Sequence, residues 1–520
     1  MNNYTNSHLS LLTYIIILIV LATKILSIYY MQSKRSLPIE PDDALVYISN
    51  AKSFYDDIYK NKQTTNSIKT ITSKTFEKAK TQEKIIINKI NFRFTKNLFI
   101  FYSISFGFFT NILDIDELKV WWASNYLFQI LLIFSFILLC KNLCSDKISF
   151  NISLIGFLYC SYFFNPFYMA TPFSYCVVFG LLGITLIESR KRYLKNIGYV
   201  FKFLSLILHP FGFFILLFYV SYLLLKSLIT QNDWIDHLKK IITLSTLLLI
   251  IFLIESVLRK KFLINLDFLV YDTLYNSYGL NMNYLKSSYD RVFDKFKFFI
   301  NNYSLFKSQI IGFLIFISSL VSIFLRKNYK LLFLIGILNI SILLSIFHVQ
   351  PNWPGELGIR ILIFSSFFFI IAYSELFSEI FEKLNMQPKI KYIIFYIFLI
   401  ASLGKMLHLN YKVVDHRANK NNFNFKYEKF KNSVLENITE DYTIIVDEYF
   451  TLHLLMPTLS SNKILFKQNF FNDQNFDWEQ KFSKDEKLFY IGKNINNITI
   501  DKNVVNINSK NSIFIDNFFE

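Results

Sequence analysis

Three carboxylates, Glu40, Asp42 and Asp43, crowd into the stretch Leu-Pro-Ile-Glu-Pro-Asp-Asp-Ala-Leu-Val-Tyr at 37–47. Carboxylates held together in this way can take a proton from a hydroxyl, the work of a general base. Where the hydroxyl displaces a phosphate leaving group, positive charge is needed at that phosphate as well. Arginine suits that role, because it keeps its charge and binds phosphate through two parallel hydrogen bonds. Arg360 ends the run Phe-His-Val-Gln-Pro-Asn-Trp-Pro-Gly-Glu-Leu-Gly-Ile-Arg at 347–360. The assignment is Asp42 or Asp43 as base and Arg360 as phosphate ligand. Glu40, Arg93, His209, His348 and Lys405 are candidate substrate-binding residues. Each has a plainer reading: an Asp after Pro is an ordinary helix N-cap, an Arg at the end of a span snorkels to the headgroups, and a His or Lys there can simply mark the boundary.

The acids open an amphipathic helix. Ala44, Tyr47, Ile48, Ala51, Phe54, Tyr55 and Ile58 share one stripe at helical spacing, so the helix lies along a membrane surface and holds the acids at the lipid–water boundary. That geometry requires a membrane, and the composition supplies one. The 520 residues are 53% hydrophobic and 18% aromatic, with mean hydropathy +0.34, beyond what a soluble domain covers with polar surface. Apolar runs occur at 11–30, 120–140, 148–187, 197–209, 211–228, 241–258, 308–325, 331–349, 359–375 and 392–407. Asn165-Pro166 and Thr171-Pro172 break the long third run into two. At roughly 20 residues per crossing this gives about eleven transmembrane helices, an all-α polytopic protein.

The charge of +17 reads as orientation rather than nucleic-acid binding. Arg190-Lys191-Arg192, the group Arg326, Lys327 and Lys330, and the group Lys383, Lys389 and Lys391 lie in short basic loops that mark the cytoplasm. Counting outward from them places the N-terminus in the cytoplasm and residues 31–119 in one long external loop with surface helices. For this, 97–113 must not cross; it is short for a span and carries Gly107 and Asn111. His209, the turn before Glu356 and the tail fall outside as well. The transmembrane domain covers 1–408, and 409–520 forms a small extracytoplasmic soluble α/β domain with strands at 442–446, 463–466 and 487–491. Cys140, Cys144, Cys160 and Cys176 lie in or beside apolar runs and imply neither a disulfide framework nor a metal site.

An acid pair just past the first of many spans, surface helices, a helical bundle and a C-terminal soluble domain, in that order, resemble the membrane glycosyltransferases of the GT-C superfamily. Asp-Asp-Ala-Leu-Val-Tyr-Ile-Ser-Asn-Ala-Lys-Ser-Phe is similar to that family's acid motif, with Lys52 where a basic residue is usual. Phe92-Arg93-Phe94 is similar to the stretch closing its first external loop, and the turn ending at Arg360 to a late turn that often carries an Arg. The chain lacks the His-Pro-Pro-Leu stretch and the Trp-Trp-Asp motif of better-defined branches. The resemblance implies inverting transfer of a sugar from a polyprenyl-phosphate donor to an acceptor glycan, lipid or protein at the extracytoplasmic face, in a bacterial inner membrane. It requires no cofactor, although a divalent Mg or Mn ion is compatible with the acids. The competing readings are a polysaccharide polymerase or ligase of envelope glycan assembly, and a polytopic transporter.

Overall fold

A computed structural model of the chain describes residues 2–35, 37, 85–87, 108–112, 115–163, 170–209, 211–229, 234–262, 320–346, 356–384, 387–419, 425–439, 442–446, 451, 455, 463–466, 487–492 and 512–518. These are mostly helical. In chain order the helices are α1 (Asn2–Lys34), α2 (Glu117–Leu143), α3 (Lys147–Phe163), α4 (Pro172–Ile187), α5 (Arg192–Leu208), α6 (Phe211–Ile229), α7 (Trp234–Phe262), α8 (Tyr329–Ile346), α9 (Glu356–Lys383), α10 (Pro388–Ala418) and α11 (Tyr427–Asn437).

Among the described residues, four helical stretches are long and apolar enough to cross a bilayer: Leu11–Lys34, Leu118–Leu143, Ile363–Lys383 and Ile390–Ala418. The shortest has 21 residues, which at about 1.5 Å per residue spans roughly 30 Å of hydrocarbon. Several segments expected as spans form shorter apolar helices, such as Pro172–Ile187 and Phe211–Ser227, and the expected span at 308–325 is described only from 320. Exposure supports a membrane setting. On α10, Ile393, Ile397 and Ile400 are 57%, 62% and 71% exposed. An apolar face of that size open to water would drive association, whereas a bilayer covers it.

The chain divides into two compact units. The first comprises Met1–Ile28 and Asn125–Val414. Its interior is aromatic: Phe364, Phe367 and Phe368 of α9 are fully buried, with Phe367 against Phe136 and Phe364 against Phe211 and Phe218. Helices α4 and α5 run very close, as lipid-embedded helices do where small residues face each other. A Cβ on Gly198 would lie 2.7 Å from the backbone nitrogen of Ile187.

Two charged clusters fasten the loops of this unit. Arg326, in the turn before α8, pairs with Asp146, Glu375, Glu379 and Glu382. Glu188, at the C-terminal end of α4, accepts the Tyr219 hydroxyl at 2.6 Å and faces Lys226 and Lys240 at 3.4 Å each. Burial alone would raise the Glu188 pKa, but Lys240, Lys226, Lys330 and the Tyr219 hydroxyl outweigh it and hold the carboxyl at about 2, below its ordinary 4.5. A carboxyl whose folded pKa is depressed stabilises the fold fully above its unfolded pKa, and that contribution is lost as pH falls toward the folded value. Melting curves in detergent are therefore expected to show the parent chain more stable than Glu188→Gln at neutral pH, with the gap narrowing from pH 4.5 downward. A gap independent of pH would show that the ion pairs contribute nothing.

The second unit comprises Tyr29–Ser124 and Asp415–Glu520. Among its described residues is a five-stranded sheet of order β1-β3-β2-β4-β5, built from β1 (Ile85–Ile87), β2 (Thr443–Val446), β3 (Lys463–Phe466), β4 (Leu488–Gly492) and β5 (Ser512–Phe514). β2 lies parallel between β3 and β4, with Thr443 opposite Lys463 and Leu488, and β5 extends the sheet parallel to β4. β2 and β4 are buried along their whole length, as continuous apolar strands in a parallel sheet must be. Phe430 of α11 packs on Phe518 at 5.3 Å. Strands β2, β3 and β4 fall where the sequence places them. β1 does not follow from the sequence reading: it comes from the segment expected as a first external loop, and it pairs antiparallel with β3. Of the segment 97–113, the described part is a short π-helical turn, Phe108–Ile112.

Candidate functional site: an arginine–histidine pair at the α5–α6 turn

Pro210 follows α5, and a residue before proline is driven to extended backbone. His209 accordingly ends the helix at φ −158° and ψ 141°. The chain then reverses at once into α6. The backbone N–H of Gly212 donates to the His209 carbonyl at 2.8 Å, and the N–H of Phe211 donates to His209 Nδ1 at 3.0 Å. The reversal depends on Gly212, where a Cβ would stand 2.3 Å from the carbonyl oxygen of Ser205. Backbone cannot yield cheaply, so Gly212→Val is expected to destabilise the unit by about 1–3 kcal/mol through overpacking. A lowered melting temperature would confirm it; a fully stable variant would mean that α5 and α6 separate freely here.

The same end of the first unit receives α4, whose N-cap is Thr171. Its side-chain oxygen accepts the Ser174 N–H, and Pro172 occupies the first helical turn. This places Phe173 beside the turn, its ring 5.4 Å from that of His209 and 5.2 Å from that of Phe211. Arg360 comes from the first turns of α9. Its guanidinium lies 5.2 Å over the Phe173 ring, and Nη1 is 3.1 Å from His209 Nε2. Cys176 Sγ lies 3.8 Å from the His209 carbonyl and 3.4 Å from Ser205 Oγ.

The bond from Phe211 favours one tautomer. Nδ1 accepts from Phe211, so the proton of a neutral imidazole sits on Nε2. Nε2–H therefore faces a guanidinium that can only donate. In the tautomer protonated at Nε2, the imidazole that follows α5 and the guanidinium of α9 present donors to one place beside the Phe173 ring. An oxyanion reaching that place can accept from both, and a phosphate oxygen has the charge and lone pairs to do so.

Two candidate residues from the sequence, His209 and Arg360, are thus brought together from positions 151 apart. Lys405 is exposed on α10 and, among the described residues, contacts neither. Asp42, Asp43, Glu40, Arg93 and His348 lie outside the described residues. Phe173 was not singled out from the sequence, although the Thr-Pro start of α4 marks the helix end that carries it. Among the described residues there is no cluster of three or more His, Cys, Asp or Glu side chains able to hold a metal; the acids considered for Mg or Mn are not among them. Compared with known proteins, the chain matches no family model and no curated protein sequence.

Proposed function

We propose that the chain is a multi-pass membrane glycosyltransferase that moves a sugar from a polyprenyl-phosphate carrier to an acceptor glycan, lipid or protein at the extracytoplasmic face. The observation that carries this reading is the convergence of Arg360 and the Nε2–H of His209 at one end of an apolar helical unit. Arg360 and His209 hold the bridging phosphate. Asp43 or Asp42 takes the proton from the acceptor hydroxyl as its oxygen attacks the anomeric carbon. The bond from that carbon to the phosphate oxygen breaks, polyprenyl phosphate leaves with the electron pair, and the configuration inverts. Of Lys24, Lys202 and Glu255, the ionisable groups a transport path would use, the Glu255 side chain lies outside the described residues, and Lys24 and Lys202 hydrogen-bond to Asn410 at 3.4 Å and to the Ile215 carbonyl at 3.2 Å, which favours the enzyme over the transporter.

The test uses the purified full chain with a panel of radiolabelled polyprenyl-phosphate sugars, reading release of polyprenyl phosphate in the presence of cell-envelope acceptors. Release that is lost in Asp42→Asn or Asp43→Asn supports the assignment. In a cysteine-free background, single cysteines at Asn61 and Ser461 should both react with a membrane-impermeant maleimide from outside intact cells. Labelling of Asn61→Cys only after lysis would put the acids on the wrong side and sink the mechanism.

A further inference from the structure

Helices α4 and α5 carry the His209 turn at one end and the Glu188 cluster at the other, about 25 Å away along a 17-residue helix. Among the described residues around Glu188, lysines outnumber carboxylates. Lys226 of α6 and Lys240 of α7 each contact the carboxylate, and Lys330 of α8 lies within electrostatic reach of it. Asp236 offsets part of this, pairing with Lys240 at 3.1 Å and Lys195 at 3.6 Å. Among these groups four ammonium ions face two carboxylates.

Two buried polar atoms in the same place have no hydrogen-bond partner among the described residues: the hydroxyl of Tyr222 and Nδ1 of His237. Both side chains are 1% exposed. The Tyr222 ring carries Lys226 Nζ at 5.9 Å, and its hydroxyl feels the Glu188 charge. His237 lies within electrostatic range of Lys226 and Lys240. Buried polar atoms are ordinarily paired, so two orphans beside surplus cations call for an acceptor that arrives from outside.

We propose that Tyr222, His237, Lys226, Lys240 and Lys330 bind the phosphate of an anionic phospholipid headgroup. Its negative charge offsets the surplus, and its oxygens accept from the orphaned hydroxyl and imidazole. The neighbouring surface suits acyl chains: Leu224 of α6 and Leu238 and Ile242 of α7 are exposed. Arg190, Lys191 and Arg192 lie exposed in the adjoining loop and add the charge that draws anionic lipid to a membrane surface. This inference does not depend on the glycosyltransferase reading.

Purified full-length protein in neutral detergent is titrated with dioctanoyl-phosphatidylglycerol, dioctanoyl-phosphatidylcholine and inorganic phosphate, with the melting temperature as readout. The phosphatidylglycerol should raise it saturably and the phosphatidylcholine should not. Tyr222→Phe and Lys330→Gln should each weaken the apparent affinity about tenfold, as expected for a lost hydrogen bond or ion pair to a charged group. Tyr222→Phe should do so without lowering the lipid-free melting temperature, because deleting an unpaired buried hydroxyl is neutral or stabilising when nothing binds there. An equal response to both lipids, or unchanged phosphatidylglycerol affinity in Tyr222→Phe, overturns the proposal. Inorganic phosphate binding as tightly as the lipid would overturn the headgroup assignment in favour of a soluble anion.

Discussion

Arg326→Gln is expected to cost the first unit about 3–5 kcal/mol, the range found when one partner of a buried ion pair is removed. The guanidinium divides its donors among carboxylates from two parts of the chain. Nη1 reaches Asp146 at 2.8 Å and Glu375 at 3.2 Å, Nη2 reaches Glu382 at 3.2 Å, and Nε bonds Glu379. Glu375 is fully buried and also accepts the Ser145 N–H at 2.6 Å. Asp146 accepts the Ser149 N–H and the Ser378 hydroxyl, both at 2.7 Å, and so joins the start of α3 to α9. Burial would raise its pKa, but those two bonds and Arg326 hold the carboxyl below its ordinary value. Without Arg326 these acids repel one another, and Glu375, which water does not reach, is left unpaired. The sharper check is the double variant Arg326→Gln/Glu375→Gln. Neutralising the buried carboxylate removes the unpaired charge, so roughly half of the lost stability should return. Arg326→Lys should recover less, because a single ammonium cannot serve four carboxylates in a planar fork. A melting temperature within a degree of the parent for Arg326→Gln would show the cluster to be solvated and energetically idle.

The helical frame was legible because its signals are local. Apolar runs between basic loops, the Thr171-Pro172 start of α4 and the Pro210 stop after α5 each act within one or two turns. The short continuous apolar runs that mark β2, β3 and β4 are local as well. What escaped is long-range. Asp146, Arg326 and Glu375 form one cluster only after the loops between α2 and α3 and before α8 meet the end of α9, and no spacing in the chain announces that. β1 escaped for a related reason: three isoleucines in a Lys- and Asn-rich stretch become a strand when β3 offers an edge, a tertiary override of weak local preference. Four of the expected spans are long enough to cross among the described residues; others form apolar helices of 16 to 19 residues, and hydropathy alone does not separate these from full crossings.

Legibility of the site follows the same division. His209 and Arg360 could be picked out because each is a polar residue ending an apolar run, and such residues are costly unless used. Their partnership depends on α9 lying against the α5–α6 turn, and the tautomer of His209 depends on a backbone N–H two positions away. Neither can be read from residue types. Lys405 met the same criterion as the other two and lies exposed on α10, so the criterion by itself does not say which polar span ends come together. The Glu188 cluster passed unnoticed because Lys330 read as a topology marker and nothing in the sequence joins it to Lys226 and Lys240; the orphaned Tyr222 and His237 atoms distinguish it from an ordinary basic loop.

Arg360→Gln is expected to lower sugar transfer by about 10²–10³-fold, the usual effect of removing a donor that stabilises charge developing in the transition state. In the proposed reaction negative charge accumulates on the phosphate as the bond to the sugar breaks, so the loss should fall mainly on kcat rather than on KM for the donor. Arg360→Lys keeps the charge and the stacking distance but loses the fork, and should recover only part of the rate. Stability separates this role from a structural one. Arg360 is partly exposed and packs on Phe173, so Arg360→Gln should melt within a degree or two of the parent while its turnover collapses. His209→Phe keeps an aromatic ring beside Phe173 and removes the Nε2 donor; it should reduce kcat by less than Arg360→Gln, since it deletes a neutral donor and leaves the cation. The double variant should be little worse than Arg360→Gln alone if the two donors serve one oxygen, because groups acting as a unit are not additive. Fully additive losses would separate the pair into independent residues. A fall of less than about threefold on losing Arg360 would be too small for transition-state stabilisation, and would make this arginine an interfacial anchor instead of a phosphate ligand.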